Sequence, residues 1–101
     1  MHALLKAEKI PFIKERTIGR LHADVFIEPA TIIELNGCYW HFHTKCQKTP
    51  SAMHKKAMAS DARRYAFFQR LGFKVHVIWE CQVEKDPEAV RQMLRRIAGL
   101  E

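Results

Sequence analysis

Three cysteines and one histidine make the sharpest chemical pattern in this 101-residue chain. Cys38, His43 and Cys46 form a Cys-x4-His-x2-Cys unit, and Cys81 follows far downstream. A Cys3His set suits a tetrahedral structural Zn²⁺ with no open position for chemistry. The alternative is that Cys38 and Cys81 are small buried hydrophobes and His43 is incidental. A second pattern is acidic. Asp24 sits in Ala-Asp-Val-Phe-Ile and Glu34 in Ile-Ile-Glu-Leu, each an acid among aliphatics. Such acids are unfavourable in a strand unless they have a partner. Two carboxylates on adjacent strands can converge on one Mg²⁺, which keeps waters or phosphate oxygens in its other positions. His41 follows closely and titrates near neutral pH, so it could move a proton there. The bland alternative is a solvated strand face, with Asp24 paired to an arginine.

The elements that must position these groups are legible. Residues 2–9 have helix-forming composition and begin abruptly, and Pro11 ends that helix. Residues 12–18 and 21–28 read as strands joined by a hairpin at Gly19-Arg20. A third strand, Thr31-Ile32-Ile33-Glu34-Leu35, runs to the turn dipeptide Asn36-Gly37. Residues 38–50 have no periodicity. From Ser51 to Leu71 a helix is expected, with Met58, Tyr65, Phe68 and Leu71 on its inner stripe and Gly72 as its C-cap. Residues 73–79 alternate as a strand, and Pro87 opens a final helix running to Ala98. The order helix, three strands, helix, strand, helix is that of an α/β domain whose mixed sheet is covered by helices.

Length and composition bound the function. One domain with one modest core is what 101 residues allow. Seventeen Lys and Arg against eleven Asp and Glu give +6, which favours a polyanionic partner, nucleic acid before membrane. No apolar run approaches the ~18 residues of a membrane span, and no signal-peptide stretch opens the chain, so a cytoplasmic protein is expected. An odd cysteine count rules out a complete intrachain disulfide framework. Tyr39 and Trp40 either stack on or wedge between bases, or cover the core beside the zinc. Lys55, Lys56, Arg63 and Arg64 either contact phosphates or form a solvated helix face. Asp61 is placed to pair with Arg64 at i+3.

At Asn36-Gly-Cys-Tyr-Trp-His-Phe-His, and again at Leu71-Gly-Phe-Lys-Val-His-Val-Ile-Trp-Glu-Cys, the sequence resembles the very short patch repair (Vsr) endonucleases. With Ala-Asp-Val-Phe and the Asp61-Ala-Arg-Arg helix, the resemblance covers roughly residues 10 to 82. It implies a restriction-endonuclease-like α/β core of the PD-(D/E)XK superfamily, with a mixed central sheet and a structural zinc site. It also implies Mg²⁺-dependent nicking of double-stranded DNA, in mismatch repair or as a mobile-element or phage nuclease. Carried over by motif, Asp24 matches the metal-binding aspartate and His41 the active-site histidine. Cys38, His43, Cys46 and Cys81 match the zinc ligands, and Tyr39 and Trp40 the aromatics that wedge into the duplex. Asp61 falls where related homing enzymes carry a further acid.

Two departures from that pattern matter. Leu35-Asn36 stands where the family has Thr-His, so Leu35 would offer only its backbone carbonyl to the metal and Asn36 cannot shuttle a proton. Glu34-x-Asn36 resembles the superfamily's acid-x-lysine signature with the lysine replaced, which makes Glu34 an alternative second ligand. The family's N-terminal arm and first-helix acid fall upstream of residue 1, which leaves T·G mismatch specificity an open expectation. The competing expectations are a non-catalytic zinc-stabilised DNA-binding module and the nuclease domain of a larger assembly.

Overall fold

Two antiparallel pairings and one parallel pairing build a four-stranded sheet in the order β1-β2-β3-β4. The structure is a computed structural model and describes residues 1–38 and 49–100. In chain order the elements are α1 (His2–Ala7), β1 (Ile13–Ile18), β2 (Leu21–Ile27), β3 (Thr31–Asn36), α2 (Ala52–Arg70), β4 (Lys74–Trp79), α3 (Glu80–Lys85) and α4 (Pro87–Ile97). Gly19, with φ 62°, opens the two-residue turn between β1 and β2, a conformation that glycine adopts without a Cβ clash. Parallel β3 and β4 need a crossover, and α2 supplies it.

Strand alternation sorts the core into two layers. Val25, Ile27, Ile33 and Ile78 pack with Leu5 of α1 and Val90 and Leu94 of α4. Phe26 and Ile32, on the opposite face, pack with Phe68 of α2. The sheet is thus sandwiched between helices, and its central strands are apolar on both faces. Glu8, at the end of α1, accepts hydrogen bonds from Arg91 (3.2 Å) and Arg95 (3.0 Å), fastening α1 to α4. Among the described residues no helix is long and apolar enough to cross a membrane.

Three sequence expectations need correction. A short helix, α3, stands between β4 and α4 where none was expected, and Cys81, just past the strand, lies in its first turn. Its six residues span less than two turns, too few for a period to register. Asn36 is no turn residue: it is the last residue of β3 and is buried. The inner stripe of α2 is the third. Phe68 is buried, whereas Met58 and Leu71 are exposed. Leu71 is the C-cap, past the last helical residue, and the α2 residues that pack in the sheet's core cluster are Phe67 and Phe68, away from Met58.

Candidate active site

The β2–β3 ladder opens just where the two acids stand. Its last pair is Val25↔Ile33, so Asp24 and Glu34 would form the next one. Instead, their side chains take over the hydrogen bonds. The Asp24 amide donates to Glu34 Oε2 (2.9 Å), and the Leu35 amide donates to Asp24 Oδ2 (3.0 Å). Across the other neighbour, the Glu15–Asp24 pair is missing from an otherwise continuous β1–β2 register. Glu15 itself has φ 53°, a left-handed conformation that costs a non-glycine residue about 1–2 kcal/mol. The backbone at Asp24 is therefore released from both neighbouring ladders, and the strain is local to this carboxylate.

Asp24, Glu34 and Asn36 share the parity of Phe26 and Ile32, which face α2. Helix α2 meets them with consecutive residues. Arg64 Nε donates to Glu34 Oε1 and its Nη2 to the His22 carbonyl. The Asn36 amide donates to the Tyr65 hydroxyl at 2.7 Å. The Glu34 side chain is only 4% exposed, and that of Arg64 26%. Burial alone would lower the Arg64 pKa; the hydrogen bond to Glu34, with the charges of Glu34 and Asp24, raises it above its ordinary value. Burial raises the Tyr65 pKa, with the charges of Asp61 and Glu34 adding to it, so its phenol stays protonated at neutral pH.

This pairing predicts a large stability effect. Arg64→Ala strands a buried carboxylate and is expected to cost about 2–3 kcal/mol, less than the ~3–5 of a fully buried pair because Arg64 is partly exposed. Urea denaturation measures it. Glu34→Gln combined with Arg64→Met is expected to recover part of the loss, and a single-variant cost below ~0.5 kcal/mol would class the pair as a surface one.

The donor set fits a divalent cation in part. Among the described residues Asp24 Oδ1 accepts no hydrogen bond, and the carboxylate is half-exposed. The pleat aims the Leu35 carbonyl to the same side as its amide, toward Asp24. Glu34 fits less well, because both of its oxygens already accept. Lys55, Lys56 and Arg63 are exposed along α2, while Arg64 is committed inward. His41, Tyr39, Trp40, His43 and Cys46 lie outside the described residues. Cys38 and Cys81 each stand two residues past the last parallel pair, Asn36↔Trp79, and so leave the sheet at the same end. The described residues alone contain no group of three or more metal-ligating side chains. The roles of Arg64 as the partner of Glu34 and of Tyr65 as the partner of Asn36 are new. The signal in sequence was Tyr65 on the inner stripe of α2, and Arg64, expected to pair with Asp61 at i+3, instead reaches Glu34.

With this geometry in place, comparison with known proteins becomes informative. The catalytic domain of homing endonuclease I-Bth0305I superposes with a TM-score of 0.70 at 19% identity, covering 94% of this chain and 85% of that one. The fold is similar to that of a homing endonuclease catalytic domain. In sequence, the type II nicking enzyme V.NmeAIP of Neisseria meningitidis serogroup A / serotype 4A (strain DSM 15465 / Z2491) is 30% identical over 76 residues. The match takes in 66% of this chain, which spans about half (53%) of that relative's length. No protein-family model matches the chain.

Proposed function

We propose that the chain is a Mg²⁺-dependent DNA endonuclease of the Vsr-like, restriction-endonuclease-like type, nicking double-stranded DNA. The observation that carries this reading is the pair of strand carboxylates at the opened end of the β2–β3 ladder, with one Asp24 oxygen left over among the described residues. The likeness to a nicking enzyme in sequence and to a nuclease domain in fold supports it. Asp24 Oδ1 and the Leu35 carbonyl would hold the ion, and Glu34, locked by Arg64, would fix the Asp24 backbone by accepting its amide hydrogen. Bound Mg²⁺ would supply Lewis-acid polarisation of the scissile phosphate and stabilise charge on the leaving oxygen. His41 would position or deprotonate the attacking water, or protonate the leaving group. Asn36 and Tyr65 support the end of β3 and carry no proton transfer in this reading. Cys38, His43, Cys46 and Cys81 would hold a structural Zn²⁺ that orders the segment bearing His41, Tyr39 and Trp40.

A silent DNA-binding module is the competing reading. It is favoured by one observation: the Glu34 carboxylate and the Asn36 amide are already engaged by α2. Incubating supercoiled plasmid with the protein, with and without added Mg²⁺, separates the two. Conversion to open circles only with Mg²⁺ is the expected result, and salt-sensitive binding without cleavage would replace the nuclease reading with the module.

A further inference from the structure

Away from the acids, the β1–β2 hairpin and the outer face of α2 enclose an open groove of about 620 Å³. Arg63, Phe67 and Arg70 lie at i, i+4 and i+7 and so share one helix face. Arg20 approaches from the hairpin. The hairpin is seated closely on that face: a Cβ at Gly19 would lie 2.9 Å from Phe67 Cζ. Leu21 and Phe67 make an apolar floor, and among the described residues no acid lines the groove. The chain has eight arginines. Arg64, Arg91 and Arg95 are spent on Glu34, Glu8 and Glu88, and Arg16 lies over the Phe26 ring. Of the four without an ion pair or ring partner among the described residues, three (Arg20, Arg63 and Arg70) border this one groove. Nothing in the fold calls for them there, and mutual repulsion argues against the cluster unless an anion joins it.

We infer that the groove between the hairpin and α2 binds the phosphodiester backbone of a DNA strand, with Arg20, Arg63 and Arg70 on its phosphates. Planar guanidiniums suit phosphate recognition, and the Phe67–Leu21 floor suits the apolar faces of the intervening sugars. Arg64 borders the same groove and holds Glu34, so a strand lying there is led directly to the candidate active site. The inference takes its substrate class from the nuclease reading, but it concerns binding and is tested by binding.

The test is fluorescence anisotropy of a labelled duplex oligonucleotide, without added Mg²⁺, over a range of salt. Arg20→Gln/Arg70→Gln is compared with a double variant that loses the same charge elsewhere, Lys85→Gln/Arg96→Gln, both exposed and distant in sequence. Two lost phosphate contacts are expected to reduce the log–log salt slope by about 1.8. Between 50 and 200 mM salt the wild-type protein should then lose roughly tenfold more affinity than the groove variant. The control should keep nearly the wild-type slope. Equal losses in the two variants would mean a net-charge effect and overturn the groove. So would polyglutamate competing with DNA as well in the wild type as in the groove variant. A groove variant that binds normally while wild-type protein nicks plasmid defeats only this inference; weakened groove binding without any nicking defeats only the nuclease reading.

Discussion

Asp24→Asn is expected to abolish Mg²⁺-dependent nicking, at least about 10³-fold in rate, while the melting temperature shifts by only a few degrees. The two carboxylate oxygens have separate duties. Oδ2 accepts from the Leu35 amide at 3.0 Å and closes the gap left by the broken ladder. Oδ1, without a described partner, is the one offered to the ion. Asparagine keeps a carbonyl oxygen for the Leu35 amide but removes the charge. Losing several kcal/mol of charge stabilisation in the transition state corresponds to about 10³-fold or more. Asp24→Ala removes both duties. It leaves the Leu35 amide without its acceptor, an added cost of about 1–3 kcal/mol, or roughly 5–20 °C in a domain of this size. Comparing the two variants by plasmid nicking and thermal melting therefore separates chemistry from structure. Wild-type nicking by Asp24→Asn would remove Asp24 from the active site.

That separation depends on contacts no single stretch of sequence displays. The strand acids were legible, because a carboxylate between Ala23 and Val25, or between Ile33 and Leu35, is conspicuous and needs a partner. The partner was not. Arg64 reaches Glu34 across thirty residues, and its neighbour Arg63, identical in type, points out to the groove. Only the phase of α2 over the sheet decides between them, and that phase is set by Phe68 packing on Phe26 and Ile32. Asn36 was misread for a related reason. Asn-Gly is a turn dipeptide by local propensity, but pairing with Trp79 and the Tyr65 contact draw Asn36 into the strand. The four strands along the chain, the hairpin at Gly19 and the helix opened by Pro87 rest on local chemistry, and there the sequence reading and the structure agree.

Cys81→Ser should lose zinc and stability together. Strands β3 and β4 run in parallel register through Asn36↔Trp79, so the sheet itself carries Cys38 and Cys81 to one edge before any metal arrives. Two of the four proposed ligands are thus anchored by a ladder whose residues Ile33 and Ile78 lie in the core. Val25, Ile33 and Ile78 on one face and Phe26, Ile32 and Phe68 on the other pack the sheet from both sides, so it is expected to depend on metal less than a zinc finger does. A site about 10³-fold above its dissociation constant in free Zn²⁺ contributes about 4 kcal/mol. Its loss corresponds to a melting temperature lower by roughly 15–30 °C. The variant should carry no zinc by elemental analysis and ignore a chelator, while the wild-type protein in chelator should melt near the variant. A wild-type protein without bound zinc, melting identically in chelator, would remove the site. The same reasoning dictates how Mg²⁺ dependence is measured: by omission of Mg²⁺, because a chelator would also remove the proposed structural Zn²⁺.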